Sequence, residues 1–168
     1  MKRVLAALAF AALAACTPAP NTGGADGAKA AVESVYATAQ RNLGHVVTSF
    51  DEIPFTDDMK GLLARAEAAA TQRGEPFIEG DVALNCQDCF TVTDLVIGPQ
   101  TGPQREPAID GHTWVEAKFK LNDDEERTVL WDMVETPQGW RVDNVLSDGL
   151  NLRTEAQSYL TDTNPPPP

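Results

Sequence analysis

The 168-residue chain is poor in the residues that build metal and nucleic-acid sites. It contains 3 cysteines, 2 histidines, and 13 Lys and Arg residues against 25 Asp and Glu residues, so its formal net charge is −12. Such a charge is unsuited to electrostatic binding of nucleic acid or of anionic lipid head groups. A structural zinc site needs four ligands, and the spacing of the few cysteines and histidines is not typical of one. We therefore expect no metal, no cofactor and no nucleic-acid partner.

Catalytic motifs and long hydrophobic runs are also missing. The sequence has no Gly-rich phosphate loop and no Gly-x-Ser-x-Gly motif, the patterns typical of nucleotide binding and of serine hydrolases. The apolar run over residues 4–12 is shorter than the roughly 20 residues that a membrane-spanning helix needs. Because no motif indicates a nucleophile or another catalytic residue, we expect a protein that is not an enzyme.

What the N-terminus does contain is a bacterial export signal. Lys2 and Arg3 precede the apolar run, and Leu13-Ala14-Ala15-Cys16 follows it. A charged start, a short apolar stretch and small residues before a cleavage point are typical of a secretory signal peptide. The last four residues resemble the lipobox of bacterial lipoproteins. An ordinary secretory signal that contains Cys16 by chance is the alternative.

The lipobox implies a membrane anchor. We expect residues 1–15 to be removed and Cys16 to carry acyl chains such as palmitate, which bind a membrane through their buried methylene groups. Thr17 stands where inner-membrane retention signals usually place aspartate, so we expect a cell-envelope lipoprotein in the outer membrane, facing the periplasm. Residues 16–28, rich in Gly and Pro, are predicted to be a flexible tether.

The remainder predicts one domain, over residues 29–162, followed by a disordered Pro-rich tail over residues 163–168. The hydrophobic periodicity predicts helices over 28–43 and 56–73, the second with Thr56 as N-cap and Gly74 at its end. Strands are predicted, in chain order, over 82–84, 91–97, 113–121, 127–135 and 140–145, with a loop over 98–111 and a short helix from Leu152, capped by Asn151. Helices followed by a meander of strands predict an α+β fold with the helices on one face of a curved antiparallel sheet.

Cys86 and Cys89 form a C-x-x-C pair. In an exported protein such a pair favours a structural disulfide. A redox-active pair is the alternative, but it would need a low-pKa thiolate, commonly at a helix N-terminus, and the flanking residues look like strands. Free thiols or a metal site are further alternatives. We expect an oxidised and chemically inert bridge.

Four segments resemble the DUF3828 family of bacterial envelope lipoproteins. Gly80–Asp88 is similar to its D-x-F-x-x-A-Q-D motif, with Gln87-Asp88 as the matching pair, although Val82 replaces the usual aromatic residue and Cys86 the usual alanine. Gly139–Val145 is similar to its G-x-W-K/R-I-D-x-I strand, and the first and last predicted helices to its terminal helices. The resemblance implies an NTF2-like, cystatin-like cone with no catalytic residues. We expect Gln87-Asp88 to hold its loop by an Asx-type turn.

An NTF2-like cone can enclose a pocket, and five residues are candidates for its lining. They are Tyr36, His112, Asp132, Trp140 and Asp143. An Asp–His pair there could do general acid–base work. The ordinary alternative is that these polar groups are solvated or bonded locally, and that the tryptophans on the predicted strands pack in the core.

The leading hypothesis is a non-catalytic lipoprotein domain that binds another envelope protein or supports an envelope assembly. The alternative is a small-molecule-binding or hydrolase/isomerase-type domain that uses the concave face of the sheet, with His112, Asp132 or Asp143 as acid or base.

Overall fold

The structure, a computed structural model, describes residues 24–43, 49–101, 109–122 and 125–161. The predicted signal peptide, Cys16, most of the predicted tether and the C-terminal tail lie outside these ranges. No helix within them is long and apolar enough to cross a membrane.

The described residues form an α+β fold with one antiparallel sheet. The helices are α1 (Ala25–Asn42), α2 (Asp57–Arg73) and α3 (Leu152–Thr161), and a short 3₁₀ helix spans Phe50–Glu52. The strands are β1 (Val92–Pro99), β2 (His112–Leu121), β3 (Glu125–Thr136), β4 (Gly139–Ser147) and β5 (Leu150–Asn151). They pair antiparallel in chain order across the sheet. The predicted α+β class, with N-terminal helices against an antiparallel sheet and a short C-terminal helix, is confirmed.

Helix α1 begins at Ala25, before the predicted start of the domain at residue 29. Gly27 and Ala28 are already buried, and Asp26 lies in the first turn, where the helix dipole favours negative charge. The alanines that follow are strong helix formers. The last four residues of the predicted tether therefore belong to the helix.

Helix α2 has the predicted bounds because both of its ends are capped. The Thr56 hydroxyl accepts a hydrogen bond from the backbone N–H of Met59 at 3.1 Å, and Asp57 and Asp58 occupy the first turn. Gly74 ends the helix with φ of 75°, a left-handed conformation that costs glycine little. Its N–H donates to the carbonyl groups of Ala70 and Thr71.

The core lies between the helices and one face of the sheet. Trp131, on the central strand β3, is fully buried, and the ring of Tyr36 from α1 meets it edge-on at 5.9 Å between centroids. Alternate residues of the neighbouring strand β2 face the same core, among them Val115, Ala117 and Phe119. The prediction that β3 is central is confirmed.

The strand predicted over residues 82–84 is wrong, because these residues form a buried turn. The Asp81 carboxylate accepts hydrogen bonds from the N–H groups of Ala83 at 2.8 Å and Leu84 at 3.1 Å. Such local side-chain bonds compete with strand pairing. A single antiparallel bridge between Asp81 and Cys86 closes the turn, and the hydroxyl of Tyr36 donates to the Ala83 carbonyl at 2.8 Å.

Strand β1 is longer than predicted, and strand β5 was not predicted. Strand β1 continues through Gly98 to Pro99, so the predicted loop over 98–111 is shorter, and part of it lies outside the described residues. The two-residue strand β5 was not predicted, since two residues carry no periodicity. It pairs with the end of β4 and leads directly into α3.

Candidate functional site

Three ionisable side chains meet at one end of the sheet. His112 is the first residue of β2, Asp132 lies on β3 and Asp143 on β4, and each offers a nitrogen or oxygen atom within 4.8 Å of the others. The Nδ1 atom of His112 lies 2.8 Å from Oδ1 of Asp132. The strand register brings them together: Asp132 pairs with Trp114, two residues after His112, and the register shift that follows the Asp132–Asn144 pair places Asp143 beside Asp132. Three of the five predicted pocket residues therefore form a cluster.

The carboxylate of Asp143 is bound by side chains from the segment before the sheet and from the helix after it. The hydroxyl of Thr56, before α2, donates to its Oδ1 at 2.9 Å, and Nη2 of Arg153 in α3 lies 2.9 Å from its Oδ2. Nη1 of Arg153 bonds to Asp58 of α2 at 2.8 Å. A row of ionisable side chains thus runs from His112 through the two aspartates to Arg153, and its bonds to Thr56 and Arg153 hold the starts of α2 and α3 on β4.

The side chain of Asn144 adds hydrogen bonds at the start of α3. Its side-chain oxygen accepts from the backbone N–H of Arg153 at 3.0 Å, and its amide nitrogen donates to Oδ1 of Asn151 at 3.1 Å. The same Asn151 oxygen accepts from the N–H of Thr154, so the predicted cap of α3 is confirmed. These bonds satisfy N–H groups that the first turn of a helix otherwise leaves free.

A cavity of about 250 Å³ opens beside the cluster. It is bounded by β2, β3, β4 and the first turns of α3, through the residues Ile109, Trp114, Asp132, Asn144, Asn151, Arg153, Thr154 and Gln157. The indole N–H of Trp114 is buried and has no hydrogen-bond partner in the described part of the chain. An unsatisfied buried donor is costly, and Trp114 is one of the residues that line the cavity.

Burial dominates the electrostatics of Asp132, which is 3% exposed. It raises the pKa of the Asp132 carboxyl above its ordinary value, the hydrogen bond and charge of His112 oppose the rise, and the neighbouring Asp143 carboxylate adds to it. Burial alone would lower the pKa of Arg153, but its bonds and charge pairing with Asp58 and Asp143 raise it overall. The cluster therefore contains one permanent cation and a carboxyl group that holds its proton to a higher pH than a free aspartate.

The same three residues are the candidates for a metal site within the described ranges. One imidazole and two carboxylates are a ligand set that several divalent cations accept. Both oxygens of Asp143 already have partners in Thr56 and Arg153, and Nδ1 of His112 has one in Asp132. A cation would have to displace these bonds, so the arrangement fits a hydrogen-bonded acid–base cluster better than a metal centre.

The other two predicted pocket residues lie elsewhere. Tyr36 is a core residue, 1% exposed, and its ring packs against Phe119 and Trp131; burial raises the pKa of its hydroxyl. Trp140 is partly buried against the core cluster and does not line the cavity. Trp140 lies two residues before Val142, which is fully buried. Because side chains alternate along a strand, Trp140 and Val142 are on the same face of β4.

Cys86 and Cys89 form the predicted disulfide, with their Cα atoms 6.1 Å apart. Gln87, within the bridge, donates to Oε2 of Glu79 at 2.9 Å, and the carbonyl of Asp88 accepts from the Asn122 side chain at 3.2 Å. The predicted Asx-type turn exists, but Asp81 forms it and not the Gln87-Asp88 pair. This disulfide loop, residues 80–89, lies outside the lining of the cavity beside Trp114.

Sequence reasoning did not single out Thr56 as a partner of Asp143, nor Arg153 and Asn144 as site residues. Thr56 was identified as a helix cap, which is one of its two roles. A basic residue two positions after the Asn151 cap was a weak signal for Arg153, since cations are unfavourable in the first turn of a helix. Carboxylates from α2 and β4 offset that cost in the fold.

Comparison with known proteins adds little to this geometry. No protein-family model matches the chain, and no curated protein matches it. Among solved structures, a phospholipid-binding protein from Ralstonia solanacearum in complex with a phospholipid is similar at 15% sequence identity and a TM-score of 0.33. The match covers 76% of this chain and 68% of that chain. A similarity at this level carries no conclusion about what this chain binds.

Proposed function

We propose that the domain binds a small polar molecule in the cavity beside Trp114. The observation that carries the proposal is the convergence, around one opening, of the Trp114 side chain, a buried carboxyl group and a guanidinium, beside an indole N–H that has no partner among the described residues. Ligand sites commonly combine an apolar wall with a few such convergent polar groups. The ring of Trp114 and the Ile109 side chain supply the apolar wall.

The polar groups define the ligand's chemistry. It should place a hydrogen-bond acceptor against the Trp114 N–H and a second polar atom against Asp132. Because the pKa of Asp132 is raised, this carboxyl can donate or accept according to pH, and His112 is placed to exchange a proton with it. Among the cavity's described lining residues there is no serine or cysteine. We therefore propose binding, with proton exchange at Asp132.

A ligand screen with two matched tryptophan variants tests this proposal. Binding of a collection of small polar metabolites is measured by protein NMR on the wild-type domain, on Trp114→Phe and on Trp140→Phe. Both variants remove a buried unpaired indole N–H, but only Trp114 lines the cavity. We expect a ligand whose affinity falls at least tenfold in Trp114→Phe and is unchanged in Trp140→Phe. No ligand, or equal affinity for both variants, would refute the site.

The lipobox supports a further proposal about where this binding takes place. Leu13-Ala14-Ala15-Cys16 favours a lipid-anchored protein of the cell envelope, and the resemblance to DUF3828 lipoproteins favours the same location. Metabolic labelling with a palmitate analogue, compared between the wild-type precursor and Cys16→Ser, tests it. Label on both proteins, or on neither, would contradict the anchor.

A protein partner, the leading hypothesis from the sequence, has a separate candidate surface on the first strand. Strand β1 is an edge of the sheet, and the side chains of Phe90 and Val96 are 66% and 65% exposed. Large exposed apolar residues near a free strand edge favour contact with another protein. Crosslinking in intact cells from a photoreactive residue at position 96 should capture one specific envelope protein, and a control residue at position 135 should not.

A further inference from the structure

A second cavity, of about 450 Å³, lies away from the cluster, against the C-terminal half of α2. Its volume is within the range of roughly 300–1,000 Å³ typical of small-molecule sites. The 3₁₀ helix and the segment that leads into the disulfide loop form its other walls. The lining residues are Ser49, Phe50, Glu67, Thr71, Glu75, Pro76, Phe77, Ile78, Gly80 and Val82.

Two aromatic rings, Phe50 and Phe77, belong to the apolar lining of this cavity together with Pro76, Ile78 and Val82, and packing holds the rings in place. The rings of Phe50 and Phe77 lie 6.0 Å apart between centroids at an angle of 48°. Phe77 meets Tyr159 edge-on at 5.2 Å, and Phe50 meets Phe55 at 6.2 Å. Both rings are therefore anchored to the core, and the faces of aromatic rings carry partial negative charge.

The ionisable groups of the lining carry the same sign. Glu67 and Glu75 are both exposed at the cavity, and no Lys, Arg or His residue is part of the described lining. Arg73 has one guanidinium nitrogen 3.9 Å from Glu75. Its guanidinium is otherwise directed to Tyr159, where it donates to the carbonyl at 2.8 Å and lies 5.3 Å from the ring centroid.

The combination of aromatic faces with carboxylates selects for positive charge. A cation gains from the ring quadrupoles and from the carboxylates together, whereas an anion meets repulsion from both. A neutral apolar molecule would contact the rings but would gain nothing from the carboxylates. We propose that this cavity binds a small organic cation, an ammonium group on an apolar body, with the ammonium between Phe50 and the two glutamates.

Benzyltrimethylammonium is a suitable probe, because neopentylbenzene is its neutral isostere and phenylacetate an anionic counterpart. Binding to the full domain is measured by protein NMR in 50 mM and 300 mM salt. We expect the cation to bind at least tenfold more tightly than either comparison compound, with shifted signals at Phe50 and Phe77. Higher salt should weaken its binding, since the exposed carboxylates are screened.

Substitutions test the two parts of the site separately. Glu67→Gln combined with Glu75→Gln should weaken binding of the cation threefold or more, and Phe50→Leu should do the same while preserving an apolar wall. Glu135→Gln, an exposed carboxylate on β3, is the charge control. Asp132→Asn leaves this cavity intact and should bind the probe like wild type, so this result is independent of the site beside Trp114. Failure of the cation to bind, equal binding of the isostere, or equal affinity of the glutamine double variant and the Glu135→Gln control would overturn the proposal.

Discussion

Replacing Thr56 with alanine removes two hydrogen bonds that meet on one hydroxyl group. The hydroxyl accepts from the Met59 N–H at the start of α2 and donates to the carboxylate of Asp143. Loss of a threonine N-cap costs about 1 kcal/mol. A hydrogen bond to a charged group contributes roughly 1.5–3 kcal/mol, and the lower end applies here because Asp143 is partly exposed and keeps Arg153. We expect Thr56→Ala to lower the free energy of unfolding by about 2.5 kcal/mol.

Equilibrium unfolding in urea at neutral pH measures this change, provided that the slope with denaturant is unaltered. Thr56→Ser keeps the hydroxyl and is the matched control, with an expected loss below about 0.5 kcal/mol. A double-mutant cycle with Asp143→Ala isolates the second bond and should give a coupling of about 1.5 kcal/mol. If Thr56→Ala costs no more than Thr56→Ser, or if the cycle shows no coupling, Thr56 does not connect α2 to the cluster.

Three further predictions concern the disulfide loop and the buried carboxyl. Gly80→Ala should destabilise the domain by roughly 2 kcal/mol or more, because its φ is +106° and an added Cβ would lie 2.5 Å from the Cys86 carbonyl oxygen; Gly98→Ala, which meets open space, should have little effect in the same urea titration. Reduction of the Cys86–Cys89 bridge should cost about 2 kcal/mol in a thermal melt, because a four-residue loop has little closure entropy to lose; a loss above about 4 kcal/mol would show that the bridge does more than close its loop. The raised pKa of Asp132 means that the native state binds its proton more tightly than the unfolded chain, so its stabilising contribution is complete below the unfolded pKa and is lost as pH rises through the folded pKa. Asp132→Asn should therefore flatten the decline in stability from acid toward neutral pH, and an unchanged pH profile would contradict the shift.

The elements that the sequence predicted well are those with local signals. Helix α2 has a capping threonine and a terminal glycine, and both act as expected. Strands β2 and β3 were predicted from alternation and from a run of apolar residues on both faces, respectively. The prediction of a strand at residues 82–84 was wrong because a short apolar run is compatible with any buried conformation. Here the hydrogen bonds of the Asp81 carboxylate stabilise a turn.

The candidate site was predictable where adjacent strands determine it. His112, Asp132 and Asp143 could be placed together because they lie on consecutive antiparallel strands of a meander. Tyr36 and Trp140 were assigned to the same pocket only by residue type, and packing against the core places them elsewhere. One partner of Asp143 comes from far away along the chain: the Thr56 contact spans 87 residues, and no local pattern encodes such a contact.

The cavity with the acidic lining was not anticipated for a similar reason. Phe50, Glu67 and Phe77 belong to three separate segments: the 3₁₀ helix, α2 and the segment that follows α2. Their convergence depends on how α2 packs beside the segment that follows it, which is a property of tertiary structure.

The bonds that join the two halves of the chain bear on the order in which the protein folds during synthesis. Phe55 forms a parallel bridge to Val142, and Arg73 bonds to the carbonyl of Tyr159, 86 residues later. The strands of the meander can pair with their neighbours as they appear, whereas β4 and α3, which α2 packs against, are made last. Contacts of such sequence separation form slowly. An emerging chain that stops before residue 140 should therefore leave the apolar side of α2 exposed to chaperones and proteases. Docking of the C-terminal helix is then the last step of folding.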